Sequence, residues 1–389
     1  MSRNLHPETI AIRTQTERTS QNEHSVPLYL TSSFVFGNAE TMRAAFADEN
    51  DENIYSRFSN PNADELAEKV RLLEGAEAGF ATASGMAAVY STFAALSKSG
   101  DEIISARQVF GSTHTVFTKI LPKFGIVTKY VDGTKPETWQ EVVTPKSKLF
   151  YLETPTNPGI ELVDLEKASV FAKKNNLILV VDNCFATPFG QLPIEFGADI
   201  SLHSATKYID GQGRVLGGVV TGKKELIHEI YLFCRSTGPA ISPFNAWVLS
   251  KSLETLALRM EKHADNAIKI ASHFQNHSSI QWLKYPFLPS HPQYDLAKKQ
   301  MKSGGGLFCF ELKGGVEAGR KLIDKLQLCS ITANLGDSRT IVTHPASTTH
   351  ARMSEEERLS AGVTPGMIRV SVGLEHYEDV IWDLEEALK

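Results

Sequence analysis

Five consecutive apolar residues closed by a carboxylate, Leu177-Ile178-Leu179-Val180-Val181-Asp182, constrain this chain more than any other stretch. Neither face of such a strand is polar, so both must be covered, and a strand covered on both sides belongs inside a mostly parallel sheet flanked by helices. The surrounding pattern agrees. Apolar runs at 79–83, 102–105, 126–131 and 148–153 alternate with helical periods at 84–96, 111–121 and 163–174, the β-α-β order that builds an α/β sheet with helices on both faces. With 389 residues, 42% hydrophobic and 22% charged, there is material for a large core and more than one domain. Ligands of such sheets bind beyond the carboxyl ends of the strands, where Asp182 and Ser84 both fall.

Three divisions are expected. Residues 1–60 are polar, hydroxyl-rich at 29–36 and without a helical period, which reads as an extended N-terminal arm. A large domain, 61–250, opens with a helix: Asn60 caps it, Pro61 suits its first position, Leu66, Val70 and Leu73 share a face, and Gly75 ends it. A helical stretch from Asn245 to Phe274, free of internal proline and glycine, leads into a smaller C-terminal α+β domain, 251–389. That unit has strands at 306–312 and 367–371, a helix at 316–326 and a final amphipathic helix with Val380, Ile381, Leu384, Ala387 and Leu388 on one face. A formal net charge of −5 without any Lys/Arg block argues against nucleic acid as a partner. No window has the apolar length to cross a bilayer, and MSRNLHPETIAIRTQ has no apolar signal core, so no membrane partner is expected. Cys184, Cys234, Cys309 and Cys329 form no CxxC pair, which fits a reduced, cytoplasmic setting without a disulfide framework.

The chemistry centres on Lys207, in the loop between apparent strands at 199–203 and 217–220. Most loop lysines are solvated. Here Ser204 and Thr206 flank the amine and glycines follow it, and a lysine held partly desolvated loses its proton more readily and adds to carbonyls. Asp182 is by itself as consistent with a cap or an ion pair; facing a pyridine nitrogen, it would keep that nitrogen protonated. Ser84-Gly85-Met86 reads most simply as a capped helix start, yet its amides also make an anion site, and with Ser204, Thr206 and Arg57 it would hold a phosphate. Pyridoxal 5′-phosphate is the cofactor that needs all three. Gly211-Gln212-Gly213-Arg214-Val215-Leu216-Gly217 is not a dinucleotide-binding turn, because its third glycine comes one position late. His344 and His350 lack the spacing of metal ligands and read as structural, so no metal is expected. Cys184 reads as a packed thiol and His203 as a core histidine.

The motifs Tyr55-Ser56-Arg57, Ser84-Gly85-Met86, Glu153-Thr154-Pro155-Thr156-Asn157-Pro158, Val181-Asp182-Asn183, Ser204-Ala205-Thr206-Lys207-Tyr208, His344-Pro345-Ala346-Ser347-Thr348-Thr349-His350 and Arg369-Val370-Ser371 resemble, nearly end to end, the trans-sulfuration enzymes of the fold-type I pyridoxal-phosphate superfamily. The resemblance implies that Lys207 carries the cofactor and moves protons, that Asn157 bonds near its phenolic oxygen, and that Arg369 forks onto the substrate α-carboxylate. It also implies that Tyr55 and Arg57 reach the phosphate in a neighbouring subunit, with Tyr55 beside the substrate, in a homo-oligomer with shared active sites, typically a tetramer. Phe110 stands where many members carry a tyrosine that stacks on the ring; stacking survives but a hydroxyl proton role is lost, which leans away from the lyases. Asn334, placed at the substrate, and the segments 208–214 and 238–247 lean towards sulfhydrylases of homoserine esters. The implied reaction is γ-replacement of O-succinyl-L-homoserine by sulfide to L-homocysteine and succinate. Cystathionine γ-synthase, O-acetylhomoserine sulfhydrylase and γ-lyase chemistry remain alternatives on the same residues.

Overall fold

The computed structural model describes residues 5–351, 354–360 and 362–389. The larger sheet has seven strands: β1 (Ala78–Thr82), β2 (Glu102–Ala106), β3 (Val127–Val131), β4 (Ser147–Glu153), β5 (Ile178–Asp182), β6 (Ile200–Ser204) and β7 (Gly218–Gly222). Their spatial order is β1-β7-β6-β5-β4-β2-β3, with β7 antiparallel to both neighbours and every pair from β6 to β3 parallel. The apolar run is thus the middle strand, and its Leu179, Val180 and Val181 are buried.

Consecutive residues of β4 show how both faces are covered. Phe150 meets Trp139 and Phe171 at 5.0 and 5.1 Å between ring centroids, whereas Tyr151, pointing the other way, meets Phe93 and Phe117 at 5.4 Å each. Large apolar side chains buried in this way contribute about 1.5–3 kcal/mol each. The capping expected at 60–75 is present: Asn60 accepts from the Asn62 amide, and Gly75 ends the helix Pro61–Glu74 at φ +68°.

The smaller sheet comprises β8 (Ile280–Lys284), β9 (Leu307–Leu312), β10 (Ser330–Ile331), β11 (Ile341–Thr343) and β12 (Met367–Ser371), in the order β10-β11-β12-β9-β8. Its core draws on the helices Leu256–Phe274, Gly315–Lys325 and Tyr377–Leu388. Among the described residues no helix is long and apolar enough to cross a membrane.

The structure corrects the local expectations in several places. The arm is not extended throughout: it contains the short helices Pro7–Arg13 and Ala39–Phe46, the second capped by Asn38 accepting from the Thr41 amide. It is also tied down, Asn62 bonding the backbone of Tyr29 and Pro27, and Trp247 donating to the Val26 carbonyl. The long helix expected over 245–274 is two, Pro243–Leu253 and Leu256–Phe274. Arg259 sits at the break: its guanidinium donates to the Ser252 carbonyl, an acceptor that a continuous helix would use, and ties the second helix to the carbonyls of Tyr208 and Ile209 in the Lys207 turn. At 111–121 only Gly111–Thr115 is α-helical; a π-type turn over Val116–Ile120 and a 3-10 turn over Leu121–Phe124 follow. The helix Lys224–Thr237 and strands β8, β10 and β11 were not anticipated.

Candidate active site

Lys207 lies in the turn that leaves β6. Its amide donates to the Ser204 carbonyl at 3.2 Å, and its carbonyl accepts from Gly211 at 2.8 Å. Gly211 sits at φ +69°, and a Cβ there would stand 2.2 Å from Arg259 Nη1, so glycine is required where the arginine braces the turn. Lys207 Nζ donates to Asn334 Oδ1 at 2.7 Å. Burial lowers the pKa of this amine, and the Arg369 charge lowers it further against an opposing effect of Cys184, which raises the uncharged fraction.

Arg369, buried on β12, completes the link. Its Nη1 donates to Asn157 Oδ1 at 2.8 Å and its Nη2 to the Asn334 carbonyl at 3.2 Å, with Thr343 Oγ1 at 3.5 Å. Asn334 therefore holds the amine with its side chain and the guanidinium with its backbone. Arg369 Nε is buried without a partner, and among the described residues no carboxylate pairs with the guanidinium. Burial pulls its pKa down to about 10. An uncompensated buried cation with an unused N–H could receive an anionic group such as a carboxylate.

Asp182 ends β5 as expected and keeps part of its surface open. Its Oδ1 accepts from the Cys184 amide at 2.9 Å, and the Tyr151 hydroxyl lies 3.5 Å from its Oδ2. The same hydroxyl is 3.2 Å from Glu153 Oε1, which also accepts the Phe110 amide at 2.7 Å. Burial raises both carboxyl pKa values, and the Asp182 charge raises that of Glu153 further. Glu153 opens one of the motifs quoted above but has no role assigned to it there, and Tyr151 is not named at all, although their i, i+2 spacing on a strand ending beside Asp182 was the available signal. The Phe110 ring is 44% exposed.

At the anion end, Ser84 Oγ accepts from the Ala87 amide at 3.1 Å and caps the helix Gly85–Leu96. The amides of Gly85 and Met86, first in that helix, have no intrahelical acceptor, and residues 84–86 are only partly buried. A Cβ on Gly85 would sit 2.5 Å from Ser204 Cβ, so glycine lets the end of β6 reach the helix start. Thr206 Oγ1 accepts the Gly217 amide at 3.2 Å and closes the lysine loop. Met86 Sδ lies 3.9 Å from Thr113 Oγ1.

Tyr55 and Arg57 are engaged elsewhere in the chain. Tyr55 bridges to Ser33, while the Arg57 guanidinium lies 4.8 Å over the Phe58 ring and donates to the Arg235 carbonyl. Of the other residues singled out earlier, His203 is buried 2.6 Å from Glu74, and His344 bonds Ser347 and the Pro365 carbonyl. The Cys184 thiol, pushed up by burial, faces the Ser204 carbonyl.

An amine with lowered pKa, a strand-end carboxyl, a helix start whose first amides have no intrahelical acceptor and a buried guanidinium without a carboxylate partner form a donor set that fits pyridoxal phosphate and an amino-acid substrate. With the sheet order, they define a pyridoxal-phosphate enzyme of fold-type I. Comparison with known proteins makes this specific. Residues 8–389 match the model of the Cys/Met metabolism PLP-dependent enzymes, and the chain belongs to that family. It is 44% identical over 381 residues to an O-succinylhomoserine sulfhydrylase of Pseudomonas aeruginosa, covering 98% of this chain and 94% of that protein. To an L-methionine gamma-lyase of Porphyromonas gingivalis it is 42% identical over 367 residues, covering 94% and 92%. A solved Campylobacter jejuni structure, assigned provisionally as an O-acetylhomoserine (thiol)-lyase, superposes with a TM-score of 0.95 at 35% identity, covering 99% of this chain and 100% of that one; it carries N′-pyridoxyl-lysine-5′-monophosphate.

Proposed function

We propose that this enzyme catalyses γ-replacement on O-succinyl-L-homoserine with sulfide, releasing L-homocysteine and succinate. The observation that carries the reading is the Asn334 bridge, which sets an amine with lowered pKa 2.7 Å from one side of a residue whose carbonyl holds Arg369. A substrate α-carboxylate on Arg369 thereby brings the neighbouring Cα–H towards Lys207 Nζ. Lys207, Asp182 and the 84–86 helix start with Ser204 would hold pyridoxal phosphate, which would supply an aldehyde for amines and a ring able to accept the electron pair left at Cα.

Lys207 takes the Cα proton and holds it at Nζ, with Asn334 Oδ1 accepting one of the ammonium hydrogens. A proton then leaves Cβ, and the pair it leaves behind forms the Cβ–Cγ double bond as the Cγ–O bond breaks with its own pair departing on succinate; sulfide adds its electron pair to Cγ, forming the Cγ–S bond, and Cβ takes a proton back. Lys207 returns its proton as the product forms. Asn157 keeps the Arg369 fork in its plane, and Asp182 would pair with the ring nitrogen. Tyr55 and Arg57 act in the site of a neighbouring subunit of a homo-oligomer, a role supported by an arm that exposes Leu30 and Val35. Support for the sulfhydrylase reading comes from the 44% identity to the Pseudomonas protein and from Phe110, which offers no hydroxyl to a lyase-type proton transfer.

The test is a substrate panel: succinyl and acetyl esters of homoserine, each with sulfide and with cysteine, and methionine alone. The highest kcat/KM is expected for the succinyl ester with sulfide. A faster release of ammonia and 2-oxobutanoate from methionine would assign the enzyme to γ-elimination instead.

A further inference from the structure

We propose that Glu153 is a positioning residue of the cofactor site: it stays protonated beside Asp182, so that the pair presents one negative charge to the ring, and it anchors the Phe110 backbone. This rests on the reading of Asp182 as partner of the pyridine nitrogen. Parallel pairing of β4 and β5 sets Glu153 opposite Asp182, so both carboxyls leave the sheet on one face at its carboxyl edge. Tyr151, two residues earlier on that face, places its hydroxyl 3.2 Å from Glu153 Oε1 and 3.5 Å from Asp182 Oδ2. A hydroxyl has one hydrogen and serves one carboxylate at a time; the other carboxyl oxygen is left facing it lone pair to lone pair unless that oxygen carries a proton of its own.

Among the described residues the groups facing the pair are Tyr151 from β4, Cys184 beyond β5, His203 from β6 and the Phe110 amide, with Thr113 on the Tyr151 hydroxyl. Among the described residues neither carboxyl forms an ion pair with a lysine or arginine, and two buried carboxylates this close do not both ionise. Asp182 is the one that ionises, since it accepts the Cys184 amide, feels His203 and keeps an open face. Glu153 is 5% exposed, and burial together with the Asp182 charge holds its proton. The 2.7 Å bond from the Phe110 amide then ends on a neutral acid, fixing the backbone of a residue whose ring is free to face a ligand.

The test uses enzyme stripped of cofactor and titrated with pyridoxal phosphate. Tryptophan fluorescence reports the dissociation constant and circular dichroism of the bound chromophore reports ring orientation. Glu153→Ala is expected to weaken binding about tenfold, the loss of one buried hydrogen-bond acceptor, and to diminish the dichroic band. Glu153→Gln, a neutral isostere of the protonated acid, is expected to restore the band and bring affinity within about threefold of the parent. The proposal is overturned by a Gln variant as impaired as the Ala variant, or by an Ala variant with parental affinity and band. Asp182→Asn is the control: if it changes neither affinity nor the pH titration of the chromophore, the Asp182 reading fails whatever Glu153 does. If it changes them while Glu153→Ala is silent, only the role of Glu153 fails.

Discussion

Replacing Arg369 with methionine should move stability and activity in opposite directions. The guanidinium is buried without a carboxylate, and its pKa of about 10 against an ordinary 12.5 corresponds to about 3 kcal/mol of disfavoured charge. For a base whose pKa is depressed by folding, that penalty is present in full below pH 10 and is relieved as pH rises towards 12.5. Methionine removes the charge and fills much of the space, but leaves Asn157 Oδ1 and the Asn334 carbonyl without their donor, at about 1 kcal/mol each. The cofactor-free variant is therefore expected to be more stable at pH 7 by about 1 kcal/mol, an effect that shrinks above pH 10. Catalysis loses two charge-assisted hydrogen bonds to the α-carboxylate, about 3–5 kcal/mol, so kcat/KM should fall by a factor of about 10² to 10³ or more. Urea unfolding of the stripped protein and steady-state kinetics of the loaded enzyme read the two effects. A variant destabilised by more than about 2 kcal/mol that keeps kcat/KM within about tenfold would show that Arg369 is structural and refute the reasoning.

Three further outcomes are expected. Lys207→Ala should fold, as judged by far-ultraviolet circular dichroism, yet show neither covalent cofactor attachment after borohydride treatment nor turnover; normal turnover would remove Lys207 from its assignment. In the stripped enzyme, acetylation of lysines followed by mass spectrometry across pH should give Lys207 a reaction midpoint below the ordinary lysine range, because burial favours its uncharged form. A midpoint within or above that range contradicts the geometry. Gly85→Ala would place a methyl 2.5 Å from Ser204 Cβ, and overpacking of this kind costs about 1–3 kcal/mol. A lower unfolding temperature and a reduced cofactor-to-protein ratio are both expected, and retention of both would show that the helix start is not held against β6.

What the sequence by itself determined is what local patterning can encode. An apolar run without a polar face demands the interior, and β5 occupies the middle of the larger sheet with Asp182 at its carboxyl end. Capping chemistry located the helices at Pro61 and Gly85, and short apolar runs bracketed the loop that carries Lys207 between β6 and β7. The same reasoning missed the helices of the arm, which are too short for a period to show, and the break near Thr255, where Arg259 finds carbonyls about fifty residues away. Only the tertiary structure decided how the candidate site is joined. Asn334 and Lys207 are 127 residues apart, and Arg369 and Asn157 are 212, the arginine on β12 of the smaller sheet and the asparagine in the turn beyond β4 of the larger one. No periodicity reports such contacts, because they follow from how the two sheets meet and not from the run of either one. Glu153 is the sharpest case: its place on a buried strand was readable, but its proximity to Asp182, and with it the burial of two carboxyls around one hydroxyl, exists only once β4 and β5 pair in register.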